Sequence, residues 1–167
     1  MSRSRVTKPS LEPATGLVFL LTQVGAHAAA RFAERLAPLK LAPPHAGILW
    51  GIKQADGLSQ QALGEKLGMY PSRLVLILDE LEQRGFVERR DRETDRRSYA
   101  LHLTEAGAEI LEQIGRITRE NQEGICAALD EAERVQLKDL LSRIAAEQQL
   151  TLGVHPGYRK LGGAQPK

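Results

Sequence analysis

The chain has 167 residues, 26% charged and 42% hydrophobic, with a formal net charge of +2. That length can bury a core without disulfide or metal staples, and it suggests one domain, with or without extra helices. The single cysteine, Cys126, excludes a disulfide framework within the chain and fits a reducing cytoplasm.

No apolar run approaches the roughly 20 residues a membrane helix needs, and the start, "MSRSRVTKPSLEP", lacks the apolar region of a signal peptide. Charge is unevenly placed. Residues 1–10 and 151–167 are basic without a single acid, whereas residues 104–150 hold ten acids against five bases. A net of +2 does not announce a nucleic-acid partner. Such a surface would have to come from arrangement rather than from the sum.

Residues 1–13 read as a disordered basic arm. From Ala14 to Leu36, Leu17, Leu20, Leu21, Val24, Ala28, Phe32 and Leu36 recur at spacings of three and four, which predicts an amphipathic helix. Pro38 comes just after it. Pro43 and Pro44 suit the first turn of a second helix, where a missing N–H costs little. That helix runs to about Gln54 with Ile48, Leu49 and Ile52 apolar, and "ADG" ends it.

"LSQQALGEKLG" (58–68) predicts a short helix with Ser59 as N-cap, a Leu58–Leu63 staple and Gly68 as the left-handed stop. "MYPSRLVLILDELEQRG" is next, with Pro71 at the first helical position, Leu74, Ile77, Leu78 and Leu81 as the core stripe, and Gly85 as the end. "FVERR" (86–90) and "SYALHL" (98–103) read as two short strands, the second placing Tyr99, Leu101 and Leu103 on one face. Thr104 caps a long helix carrying Ile110, Leu111, Ile114, Ile117 and Ile125. Asp130 caps another, carrying Val135, Leu137, Leu140, Leu141 and Ile144. The Gly-rich, basic stretch 151–167 reads as a flexible tail, with Tyr158, Arg159 and Lys160 as a loose end.

The expected fold is therefore mostly α. A three-helix core plus a β-hairpin wing makes a winged helix-turn-helix, flanked by N- and C-terminal helices. In such a unit the second helix of the turn enters the DNA major groove, N-terminal end first. The residues that could face outward there are Tyr70, Ser72, Arg73, Val75 and Leu76. Arg73 could pair with a guanine edge, Ser72 with a phosphate or base, and Val75 or Leu76 with a thymine methyl. "LVLIL" (74–78) is apolar throughout, yet a helix cannot bury five successive positions equally, so Val75 or Leu76 must be partly exposed. The hairpin tip lies within "ERRDRETDRR" (88–97), five arginines among four acids. An arginine there would read the width and potential of the minor groove.

Residues about 43–107 resemble the MarR family of bacterial transcription regulators. The resemblance rests on "LAPPHAGILWGI", "LSQQALGEKLGMYPSRLVLILDELEQRGFVERR" and "ETDRRSYALHLTEAG", with Asp95-Arg96-Arg97 shortly before Leu103-Thr104-Glu105-Ala106-Gly107. It implies that Arg97 is the minor-groove arginine and that Asp95 pairs with a neighbouring arginine to shape the wing. Arg92 and Arg96 complete the wing set, while Arg89, Arg90 and Arg92 could also simply pair internally.

The resemblance further implies a homodimer built through helices in 14–42 and 104–150, with 43–103 as the DNA-binding lobe. It implies a pseudo-palindromic operator as partner and a repressor released by a small, aromatic ligand. His27, His45 and Trp50 are candidate pocket liners, with ordinary packing the preferred reading of each. Cys126 has no cationic neighbour in sequence and reads as a buried, unreactive thiol. The four histidines lack metal-ligand spacing, and no phosphate loop or nucleophile motif is present. Neither cofactor, metal nor catalysis is expected. The rival expectation is a winged-helix scaffold that binds protein instead of DNA.

Overall fold

The computed structural model describes residues 16–92, 95–151, 153, 154 and 158, and for residues 92 and 95–98 the backbone alone. Six α-helices, a 3-10 turn (Ala37–Leu39) and a small antiparallel sheet are found among them: α1 (Leu17–Leu36), α2 (Pro43–Gln54), β1 (Leu58–Ser59), α3 (Gln60–Leu67), α4 (Pro71–Gln83), β2 (Val87–Arg92), β3 (Asp95–Leu103), α5 (Glu105–Ile125) and α6 (Glu131–Glu147).

Local chemistry sets the boundaries. At α2 the N-cap is Ala42, which has no capping side chain, so the ring of His45 does the work: its Nδ1 accepts from the Ala42 N–H at 3.0 Å. Ser59 caps α3 by accepting from the Ala62 N–H at 3.2 Å, and Gly68 ends it at φ 61°, a left-handed position. Asp130 and Glu133 cap α6 reciprocally, each side chain accepting from the other's backbone N–H at 2.9 Å.

The sheet has strand order β1-β3-β2. Two expectations change here. Leu58 and Ser59 also form a short strand, with Ser59 still the cap of α3, because the Gly57 N–H donates to Leu101 O at 3.0 Å and draws the chain onto the edge of β3. The wing strands are also longer than their apolar segments, pairing from Val87↔Leu103 out to Arg92↔Asp95. Alternating opposite charges along these strands do not oppose extended backbone, so a hydrophobicity pattern alone underestimated their length.

One core spans the helices and the sheet. Leu36 of α1, Ile48, Leu49 and Ile52 of α2, Leu63 of α3, Leu74, Leu78 and Leu81 of α4, Leu101 of β3 and Ile114 of α5 are all essentially sealed from solvent. Each such side chain contributes about 1.5–3 kcal/mol on transfer from water. The base of the wing is closed on α5 by the Leu103–Gly107 motif. Thr104 Oγ1 donates to Gly85 O at 2.5 Å and accepts from the Gly107 N–H at 2.9 Å. Gly107 has no choice of residue type, since a Cβ there would overlap the Phe86 carbonyl.

A second clasp ties the segment between α1 and α2 to α4. The Arg84 guanidinium donates to Lys40 O at 2.7 Å and Leu39 O at 2.9 Å, and it lies over the Phe86 ring at 4.8 Å. Glu80 joins it, 3.7 Å from Arg84 and 3.2 Å from His45 Nε2.

Among the described residues, uncovered apolar side chains cluster most densely on α1 and α6. The first half of α1 exposes Leu17, Val18, Phe19, Leu20 and Val24, and α6 exposes Val135, Leu140, Leu141 and Ile144. The second half of α1 is seated against α5, where Arg35 and Glu120 pair at 2.9 Å and Asn121 Nδ2 donates to Ala28 O at 3.3 Å.

Two sequence expectations fail against this packing. Cys126 is half-buried at the C-cap of α5, not sealed within a helix, because α5 ends there and the carbonyl of Cys126 accepts from Arg134 Nε at 3.2 Å. Tyr158, expected in a loose tail, is buried in the core cluster, with Val154 packed against it. Residues 152, 155–157 and 159–167 of that tail, Arg159 and Lys160 among them, lie outside the described residues, as do residues 1–15.

Candidate nucleic-acid interface

The turn between α3 and α4 sets which side chains face outward. Gly68 reverses the chain, Met69 drops into the core, and Tyr70 becomes the N-cap of α4 with Pro71 at its first position. No described side chain caps this helix, so its first-turn N–H groups and the positive end of its dipole face outward. Tyr70, Ser72, Arg73 and Leu76 are exposed around that end, and Val75 is half-buried. Leu76 is 71% exposed, against 1% for Leu74 and 0% for Leu78. The apolar run "LVLIL" thus divides between core and surface as helical periodicity requires.

The wing leans on the same helix. Arg89 of β2 donates to Asp79 Oδ1 at 2.6 Å and to Glu82, which stand on the outer face of α4. Burial works against the Arg89 charge, but the two carboxylates outweigh it and its pKa moves up. Arg90 pairs with Glu88 on its own strand. Two arginines of the charged run are therefore engaged inside the protein, the internal pairing that sequence allowed. The side chains of Arg92, Asp95, Arg96 and Arg97 lie outside the described residues.

The candidate pocket residues separate. Trp50 is 42% exposed and stands between two cavities. One, of about 340 Å³ between α2 and α5, is lined by Trp50, Lys53, Leu111, Glu112, Arg116 and Arg119 among others. The other, of about 290 Å³ beside α3, is lined by Trp50, Gln54, Lys66, Gly153 and Val154 among others. His45 lines neither cavity. It is spent on the α2 cap and on Glu80. His27 is exposed on α1 and lines neither cavity. The described residues hold no group of three His, Cys, Asp or Glu placed to bind a metal, and no helix among them is long and apolar enough to cross a membrane.

Sequence reasoning missed Arg84, the full role of Arg89, Gly107 and Tyr158. The first two act through tertiary pairing, which has no local signature. Gly107 was visible as a motif position without its reason. Tyr158 is one aromatic in a polar stretch, and only its partner groove makes it significant.

A helix-turn-helix whose second helix presents its uncapped start, flanked by a two-stranded wing, defines the protein as a winged helix-turn-helix. The MarR family model matches residues 41–99, the winged lobe, which is therefore similar to that family. A Thauera aromatica protein, proposed as the transcriptional regulator of the hcr operon, is 34% identical over 105 residues, 63% of each chain. The chain thus spans less than two thirds of that relative's length. The transcriptional repressor CouR, solved bound to a 23-mer DNA duplex, superposes with a TM-score of 0.72 at 27% identity, covering 80% of this chain and 95% of that one. A Mycobacterium tuberculosis MarR family protein in complex with salicylic acid gives a TM-score of 0.63 at 26% identity, covering 77% and 96%.

Proposed function

We propose that the protein is a dimeric, sequence-specific DNA-binding transcriptional regulator of the cytoplasm, a repressor released by a small aromatic ligand. The observation that carries this reading is the open start of α4, with Tyr70, Ser72, Arg73 and Leu76 exposed around it and the wing fastened alongside. In the proposed complex the N-terminal turn of α4 receives a backbone phosphate, Arg73 and Ser72 reach base edges, and Val75 and Leu76 lie against thymine methyls. Arg97, with Arg92 and Arg96 beside it, enters the adjacent minor groove, and Asp95 holds the wing in shape.

The uncovered apolar faces of α1 and α6 support dimerisation, and a two-fold dimer would place its half-sites about 10 bp apart. The cavity between α2 and α5 supports an effector site: the indole of Trp50 offers a stacking face, and Lys53, Arg116 and Arg119 offer charge for an anionic group. Salicylic acid in the M. tuberculosis relative is a ligand of that chemistry.

One observation favours a protein-binding scaffold instead, the exposed Leu76 in the middle of the reading helix. A single experiment separates the two. Fluorescence anisotropy would follow the protein onto duplex DNA from upstream of its own gene, at several salt concentrations, against a scrambled duplex of equal composition. The regulator reading expects tight, salt-sensitive binding that prefers the native duplex and is released by an aromatic carboxylate. Failure to bind either duplex at low salt would overturn it in favour of the scaffold.

A further inference from the structure

Trp50 borders a second cavity besides the one between α2 and α5. Gly47, Trp50, Gly51 and Gln54 recur at spacings of three and four, so they share one face of α2. Lys66 and Leu67, in the last turn of α3, stand across from that face. Gly153 and Val154 complete the lining of the space between, which holds about 290 Å³.

The wall from the C-terminal segment is a formed turn. The Val154 N–H donates to Thr151 O at 3.2 Å, Gly153 takes φ 77°, and the Val154 side chain packs against the core. Further along, Tyr158 is 5% exposed and its hydroxyl donates to Pro43 O at 3.0 Å. Its ring lies over Gly47, where a Cβ would overlap the hydroxyl. The segment is thus anchored to α2 at a glycine that also lines the cavity.

The chemistry of the lining is one-sided. The Trp50 indole, Leu67 and Val154 supply apolar surface, the Gln54 amide supplies a donor and an acceptor, and Lys66 supplies a positive charge. No carboxylate stands among the described lining residues. Lys66 makes no ion pair among the described residues, and the carboxylate of its neighbour Glu65 accepts from Gln61 Nε2 at 3.0 Å. The α2–α5 cavity is different, with Glu112 set among Lys53, Arg116 and Arg119. An ammonium beside an aromatic face, with no acid to neutralise it, is matched by a flat apolar body that carries one negative group. The volume lies at the small end of the roughly 300–1,000 Å³ of ligand pockets, which suits a single ring.

We propose that this cavity is a second small-molecule site, separate from the effector cavity between α2 and α5, and that it takes a small aromatic monocarboxylate. The ring lies against Trp50 and the carboxylate meets Lys66, with Gln54 beside it. Lys66 and Leu67 come directly before Gly68, the left-handed residue that turns the chain towards α4, so the ligand sits at the foot of that turn.

The test uses the full-length chain with Arg116→Gln and Arg119→Gln, which strips both arginines from the first cavity. Trp50 borders both cavities, so backbone amide shifts in NMR are read in place of its fluorescence. Benzoate is titrated to about 10 mM, a level that nearly fills a millimolar site. The amides of Leu67, Gly153 and Val154, which line this cavity and not the other, are expected to shift together. Adding Lys66→Gln, a change at an exposed position that leaves the core untouched, is expected to weaken that binding about five- to tenfold. Benzamide, the uncharged counterpart, is expected to bind more weakly than benzoate and to ignore the Lys66 change. Shifts confined to Leu111 and Gly115, or no shifts at all, would overturn the second site. Benzoate binding that is indifferent to Lys66→Gln, or benzamide binding as tight as that of benzoate, would overturn its assignment to a carboxylate. None of these readouts involves DNA, so each stands apart from the fate of the regulator reading.

Discussion

The guanidinium of Arg89 lies 2.6 Å from the carboxylate of Asp79, a contact that joins the first wing strand to the helix proposed to read DNA. With Glu82 on the same guanidinium, strand and helix are fixed in one orientation. Replacing Arg89 with Ala leaves two carboxylates unneutralised on the face that would approach phosphate. Asp79 is more than half exposed, so the expected loss of stability is modest, roughly 1 kcal/mol. The loss of DNA affinity is expected to be the larger effect. Thermal unfolding and anisotropy on the same preparation check this, and a variant that loses stability but keeps full affinity would contradict it.

Arg73 and Arg97 are expected to fail differently. Arg97→Ala should weaken binding across all sequences and flatten the salt dependence, because a wing arginine acts on groove potential. Arg73→Ala should cost about 1–3 kcal/mol at one base-pair position and relax preference there. Titrations against duplexes carrying single base-pair changes measure both. Identical profiles for the two variants would remove this division of labour.

Gly107→Ala sets a Cβ against the Phe86 carbonyl, at the seam that closes wing on α5. Backbone cannot swing aside as a side-chain tip can, so the expected cost is about 3 kcal/mol. The urea midpoint should fall with an unchanged slope. Gly47→Ala, facing only a tail side chain, should keep its stability within about 1 kcal/mol of wild type. The contrast between two Gly→Ala changes tests whether the packing is as described.

Leu140→Asp places a charge on the apolar face of α6, where Leu140 is 44% exposed in the single chain. If that face meets a second copy, the variant should sediment as a monomer and bind a full operator far more weakly than wild type. A variant that remains dimeric in sedimentation velocity would exclude α6 from the interface.

The phenol of Tyr158 provides a pH prediction. Burial raises its pKa above 10, so the fold favours the neutral form. The docking it supports is fully present below the ordinary phenol pKa of about 10 and is lost as pH rises through the higher folded value. Binding should therefore show no contribution from this group between about pH 6 and 9. Among the three tyrosines, one tyrosinate absorbance should titrate late, and Gly47→Ala should return it to the ordinary range. Absence of a late-titrating phenol in the wild type would contradict the burial.

The helices were legible because each carries an apolar period and its own punctuation. Ser59, Pro71, Thr104 and Asp130 all sit at helix starts, and Gly68 and Gly85 stand at φ 61° and 72° where helices stop. The exposed start of α4 was legible for the same reason, since Leu74 and Leu78 fix which face is inward. The features that escaped depend on distant partners. Leu58 is a strand only because Leu101 is beside it, and His45 caps α2 and contacts Glu80 instead of facing a cavity. Tyr158 is an anchor only because residue 47, 111 positions earlier, lacks a side chain.

The Arg84 clasp on Lys40 and Leu39 has a mechanical consequence. A connector with two carbonyls held by one guanidinium cannot act as a slack joint, so a tilt of α1 is delivered to α4 instead of being absorbed between them. With 20 residues, α1 is about 30 Å long, and a tilt of about 5° at its uncovered end displaces the other end by about 2.6 Å. The long helix then swings as a rigid arm, and the gearing from a small change at its uncovered end to the seating of α4 is set by the rigidity of a single arginine.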